Sequence, residues 1–225
     1  MPDVSHTRAY YRTNARALGD DWHTSLPAEK YEGLDMLMTI EFATRNIQSI
    51  ATGLVNTTRQ QTGLTDGLII TEDSAGIKPY SGIVDGAFSY RGIENPFGNV
   101  LEFVDGLIFN DHKVYYCNDW TKWTDEINDN YSMVIGTLPL QGGFISRLNY
   151  SEKTPELRLP VAISVLGDTD SYYCDYYVDT TYDYSIPVFG GGYQTQERAG
   201  IFHWNCAQTY NSANADVGSR LARSF

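Results

Sequence analysis

The chain has 225 residues and carries 16 Lys+Arg against 28 Asp+Glu, a formal net charge of −12. A surface of that sign repels phosphate backbones instead of releasing their counterions, which sets nucleic acid aside as a partner. With 42% hydrophobic and 20% charged residues, the composition is that of an ordinary folded protein and excludes a disordered one.

At the N-terminus, MPDVSHTRAYYRTNARALGDDWH lacks the apolar core of a secretory signal, and no later stretch approaches the ~18 apolar residues of a membrane span. The expectation is a chain with no signal peptide and no membrane insertion. Residues 1–27 read as an N-terminal extension. Residues 28–225 read as one domain, because no Pro/Ser/Gly-rich linker divides them. The clearest helix is predicted over 28–55, where Ile40, Ala43, Ile47, Ile50, Ala51 and Leu54 recur at helical spacing and Leu34 and Leu37 extend the stripe. Pro27 suits a first turn and Gly53 lies near the expected stop.

Beyond that helix, Gly and Asn/Asp pairs punctuate stretches rich in Val, Ile, Tyr and Phe: TDGLII, DGLIFNDHKVYYC, YSMVIG, LPVAISVLG and YYCDYYVDTTYDYSIPVFGGG. Short strands joined by turns follow from that pattern. Residues 118–130 (NDWTKWTDEINDN) read as a polar loop pinned by two tryptophans. The fold class is α+β, with short strands, long irregular loops and one prominent helix in the N-terminal half. Three separated cysteines, Cys117, Cys174 and Cys206, suit neither a disulfide framework nor a metal site, and Cys117 and Cys174 read as buried apolar residues. The acidic group Asp168, Asp170, Asp175, Asp179 and Asp183 reads as a solvated loop, with calcium binding as the alternative.

Two segments carry a family resemblance. The first is YRGIENPFGNVLEFVDGLIF (residues 90–109), and the second is GIFHWNCAQTYNSANADVGSRLARSF at the C-terminus (residues 200–225). Gly98-Asn99-Val100-Leu101-Glu102-Phe103 resembles the "GN(V/I)WEW" piece of the formylglycine-generating-enzyme-like branch of the C-type lectin fold. Gly218-Ser219-Arg220-Leu221 resembles its terminal "GFRL" strand. The RGIENPFGN wording, with an Asn/Ser/Tyr-rich stretch after Trp204, is similar to variable proteins of diversity-generating retroelements, including those of phages.

The resemblance implies a C-type-lectin-like domain over 28–225 with a variable region at about 193–225. The four histidines, His6, His23, His112 and His203, make no HxxxH or HxE arrangement and no cysteine has another nearby, so the expectation is no enzymatic activity, no cofactor and no metal, with a protein or cell-surface ligand as the implied partner. A virion tail, or the host cytoplasm before assembly, is the implied location. The implied ligand-contacting positions are Tyr193, Thr195, His203, Asn205, Cys206, Ala207, Thr209, Tyr210, Asn211 and Asn214. Most are residues that adenine-directed change of an AAY asparagine codon can produce. Trp204, Glu102, Asp105 and Arg220 are assigned to structure, with Arg220 bridging to Glu102 or Asp105 because a guanidinium matches a carboxylate bidentately. Tyr172, Tyr173, Tyr176, Tyr177, Tyr182 and Tyr184 suit a binding surface, since tyrosines are stiff and amphipathic, although about half are expected in the core.

Two other functions stay open at this point. One is a structural tail component with the same fold and no changeable surface. The other is an oxidase of the formylglycine-generating type, for which the lone His203/Cys206 pair is weak support.

Overall fold

The computed structural model describes residues 2–26, 33–66, 80–84, 86–152, 154–165, 175–180 and 182–224. Pro27, the strand expected at TDGLII past residue 66, Asp168, Asp170, Tyr172, Tyr173 and Cys174 lie outside the described residues.

Helix α1 (Arg8–Ala17) begins where the Thr7 side chain accepts the Tyr10 N–H, satisfying a donor that has no partner within the helix. Its inward residues Arg8, Tyr11, Arg12 and Ala15 have the i, i+3, i+4, i+7 spacing of a buried face, yet half of them are arginine. Arg12 donates to the two oxygens of Asp105 at 2.6 and 3.0 Å, and Arg8 and Arg12 reach one oxygen of Asp125 at 2.8 and 2.7 Å. Two guanidiniums facing two carboxylates leave the cluster neutral, the condition under which such burial is tolerable. Strand β1 (Trp22–Thr24) follows and pairs antiparallel with the final strand, Leu221–Arg223. The N-terminal extension expected over 1–27 is thus woven into the domain as far as residue 26.

Helix α2 (Asp35–Phe42) stands where the helix over 28–55 was expected. The longer helix is corrected: the chain leaves it at Ala43, in the left-handed region at φ 53°, and the Thr44 hydroxyl then accepts the Asn46 N–H. Such side-chain bonds compete with a further helical turn, and only a 3₁₀ turn, Ile47–Ser49, follows. The apolar stripe is split as a result. Leu34, Ile47, Ala51 and Leu54 are buried, whereas Leu37, Ile40 and Ile50 are exposed.

Strands dominate the rest. β2 (Tyr80–Val84), β3 (Ala87–Tyr90) and β4 (Ile93–Glu94) form a small antiparallel sheet in that order. The next in the chain are β5 (Leu101–Phe103), β6 (Leu107–Asn110), β7 (Lys113–Tyr116), β8 (Ser132–Ile135), β9 (Gly143–Ser151) and β10 (Thr154–Ser164). After them come β11 (Tyr176–Val178), β12 (Tyr184–Phe189), β13 (Trp204–Gln208), β14 (Val217–Ser219) and β15 (Leu221–Arg223). Strands β5 to β14 make a ten-stranded sheet, ordered β10-β9-β11-β13-β12-β6-β7-β8, with β5 on β12 and β14 on β5. The sheet curls into half a barrel, and the fold is α+β with mostly strands. Among the described residues there are two α-helices, of 10 and 8 residues, in place of one prominent one.

Local chemistry explains the turns that matter here. The β6–β7 hairpin closes at Asn110↔Lys113 with Asp111 and His112 at φ 49° and 57°, the mirror-type turn whose twist suits paired strands. Gly106, at φ 82°, follows Asp105; a Cβ on it would lie 2.6 Å from the Cys117 carbonyl oxygen and 2.8 Å from Trp123 Nε1. That close approach lets Trp123 donate to the Cys117 carbonyl at 2.8 Å. With Trp120 stacked on His23 at 5.3 Å between centroids, both tryptophans anchor the 118–130 loop.

Strand β12 divides two apolar layers. Phe189 joins the main core with Trp204, Phe97, Phe109 and Cys206. Ile186 and Val188, on its other face, pack with Tyr11, Leu101, Phe103 and Val217, as the two-residue period of a strand dictates.

Candidate binding surface

The C-terminal segment is fastened on both sides of its exposed part. Before it, Trp204 is 3% exposed and packs edge-on to Phe189, 4.1 Å between centroids. After it, β14 lies parallel to β5 in the register Gly218↔Glu102. Arg220 Nε then donates to Glu102 at 2.6 Å, and its Nη2 donates to the carbonyls of Glu94 and Asn95 at 2.8 and 2.6 Å. Of the two carboxylates considered for Arg220, Glu102 is the one it reaches. Asp105 is fully buried and serves the arginines of α1.

Two of the residues assigned to the surface belong to the interior. Along β13 the burial alternates, with Trp204 and Cys206 buried and Asn205 and Ala207 half-buried; because Trp204 points into the core, Cys206 must follow it. Burial pushes the Cys206 thiol well above its ordinary pKa, so it is no thiolate. His203, 2% exposed, is held by the Arg198 carbonyl at 2.8 Å from Nδ1. Burial, together with the Arg198 charge, pushes its pKa down to about 4. The imidazole is therefore neutral near pH 7, with Nδ1–H as the donor. Cys117 is also buried, with its thiol raised by burial.

Residues 209–214 form the exposed part. Tyr210, Asn211 and Asn214 are exposed, and Thr209 is half-buried. The Thr209 N–H donates to Ser212 Oγ and the Ser212 N–H to the Thr209 carbonyl, each at 2.9 Å, while Asn214 donates to Gln208 Oε1 at 2.8 Å. The side-chain bonds of this connection stay within a few residues of their origin.

Beside it opens a cleft of about 350 Å³, lined by Asp125, Glu126, Ile127, Tyr184 and Tyr210. Tyr184 begins β12 and is 37% exposed, and Tyr210 is 49% exposed. The 124–130 loop makes the opposite wall. Thr124 exchanges bonds with Tyr131 Oη, donating its N–H at 3.1 Å and accepting at its carbonyl at 3.0 Å. Ile127 packs against the Ile108, Cys117, Trp123 and Tyr131 cluster. Burial raises the Asp125 pKa, but Arg8 and Arg12 outweigh it and hold the carboxyl below its ordinary value.

Tyr193 and Thr195 do not join this patch. Phe189 pairs with Trp204 and Ile186 with Gln208, so Tyr193 follows one end of β12 while Tyr210 leaves near the other. There Tyr193 bonds the Asn99 and Thr57 backbones, and Thr195 Oγ1 accepts the Gly192 N–H at 2.8 Å. Among the described tyrosines of the 172–184 run, Tyr177 is buried, Tyr176 half-buried, and Tyr182 and Tyr184 exposed.

The acidic group is not one solvated loop. Asp175 is buried and accepts the Phe202 N–H at 2.6 Å, and burial holds its pKa well above the usual carboxylate range. Asp179 is half-buried and Asp183 exposed. Among the described residues no group of three or more His, Cys, Asp or Glu is placed to hold a metal ion.

Asp125, Glu126 and Ile127 were not among the ligand-contacting positions expected from sequence, whereas Tyr184 belongs to the tyrosine run expected to suit a binding surface. Their signal was present only in pieces, since the cleft is assembled from three segments far apart in the chain. Neither the protein-family models nor the curated proteins contain a match to this chain, so the geometry of its own surface carries the functional reading.

Proposed function

We propose that this chain is a non-enzymatic ligand-binding protein of the diversity-generating retroelement type. It presents a changeable C-terminal surface on a C-type-lectin-like scaffold to a protein or cell-surface ligand, as a component of a virion tail. The observation that carries the reading is the build of residues 209–214. They are mostly exposed, with side-chain bonds that stay local, between a buried Trp204 and an Arg220 tied to Glu102. A surface open to change must leave stability alone, and exposed substitutions shift it by only about ±0.5 kcal/mol. The changeable set is Asn205, Ala207, Thr209, Tyr210, Asn211 and Asn214. His203 and Cys206 leave the set because they are buried.

The test is to sequence the DNA beyond the 3′ coding end. The reading expects a near-repeat of that end, differing at adenines that correspond to the six codons, beside a reverse transcriptase gene. Its absence from several isolates would leave a fixed structural component as the better description.

A further inference from the structure

We propose that the cleft between Tyr184 and Tyr210 receives an arginine or lysine side chain from the partner protein. This rests on the displayed-surface reading above and gives that surface a ligand chemistry.

Its lining holds two tyrosine rings, one aliphatic side chain and two carboxylates, with no lysine or arginine. The phenols of Tyr184 and Tyr210 have no hydrogen-bond partner among the described residues, and both rings are substantially exposed. A cation above a ring face is attracted by the ring quadrupole. Ile127, half-buried on its own apolar cluster, offers a dry wall to the methylene stem that long cationic side chains carry.

The charge balance of the walls has the matching sign. Asp125 is compensated by Arg8 and Arg12, which together with Asp105 form a group of net charge zero. Glu126, exposed at the rim, has no ion-pair partner among the described residues and is the charge an incoming cation meets. A ligand carboxylate or phosphate would meet Glu126 and find no cation in the lining. At longer range the net charge of −12 steers a basic partner toward the protein and speeds encounter. A neutral sugar could stack on the same rings and donate hydroxyls to Glu126, but it would bring no charge to offset that carboxylate.

The probe is a blocked Gly-Arg-Gly peptide, compared with its citrulline counterpart, which keeps the shape and loses the charge. Binding is followed by NMR through the ring resonances of Tyr184 and Tyr210 in the intact chain. The proposal expects the arginine peptide to bind more tightly than the citrulline one and to weaken as NaCl rises from about 50 to about 500 mM. Tyr210→Leu, which keeps apolar bulk without a ring face, should weaken it about twofold to fivefold, and Glu126→Gln should abolish most of the salt dependence. Both variants sit on the surface, and unchanged melting certifies that they are folded. Equal binding of the two peptides, no binding of either, or preference for a neutral glycan overturns the proposal. Those results leave the displayed surface standing, which fails separately if random substitution at the six positions unfolds the chain.

Discussion

Replacing Arg220 by alanine removes three bonds at once, to Glu102 at 2.6 Å and to the Glu94 and Asn95 carbonyls at 2.8 and 2.6 Å. The Glu102 side chain is 5% exposed and that of Arg220 33%. Breaking a fully buried pair costs about 3–5 kcal/mol and an exposed one about 0–1. A guanidinium one-third in solvent facing a buried carboxylate belongs between these, nearer the upper range because two carbonyls lose their donor as well. The expected loss is about 3 kcal/mol. With a urea dependence of about 2–3 kcal/mol per molar, the unfolding midpoint of Arg220→Ala should fall by roughly 1 M at unchanged slope. Arg220→Lys should recover only part of it, because an ammonium is a point charge and lacks the planar fork. An alanine variant that unfolds at the parent's midpoint would refute the claim that this link fastens the chain end.

Other expectations follow from the same geometry. His203 favours its neutral form in the folded state, so its contribution is full above pH 6.5 and lost as pH falls toward about 4, roughly 2 kcal/mol by pH 4.5. The raised Asp175 acts oppositely, stabilising fully below pH 3.8 and less as pH rises. His203→Asn, which keeps a donor for Arg198, should therefore be relatively less impaired at pH 4.5 than at pH 7 by urea titration; a pH-independent gap would contradict the neutral assignment. Arg8→Ala should cost about 3–5 kcal/mol and speed amide exchange in the 124–130 loop; unchanged exchange would mean that α1 does not hold that loop. Trp204→Ala should cost about 3–5 kcal/mol, against about ±0.5 for Asn211→Ala; equal melting temperatures would break the division between anchor and surface.

The turn between β6 and β7 was legible because two short apolar stretches, 107–109 and 114–116, are separated by polar residues, of which Asp111 and His112 take positive φ. The Arg220 link was legible because opposite charges stood inside otherwise apolar segments. Helix α1 escaped hydrophobic pattern reading because its inward face holds Arg8 and Arg12, whose burial depends on Asp105 and Asp125, about 90 or more residues away in sequence. Periodicity overstates the helix over 28–55, since the apolar spacing continues through Ala43 while the helical backbone does not. His203 and Cys206 looked changeable by composition, yet the inward Trp204 forces Cys206 into the core, and His203 lies beneath the Arg198 carbonyl. The cleft was invisible in one dimension because residues 125–127, Tyr184 and Tyr210 meet only through the folding of β12 and β13.

The central claim, a surface that can change without cost to the fold, is tested most directly by a library of the intact chain. It would randomise Asn205, Ala207, Thr209, Tyr210, Asn211 and Asn214 together, with members measured by thermal melting and selected for binding to an unrelated target protein. The account predicts that most members melt near the parent and that selection yields binders which differ at these six positions. Widespread unfolding of the library would contradict it, by showing that these residues hold the fold instead of displaying a surface.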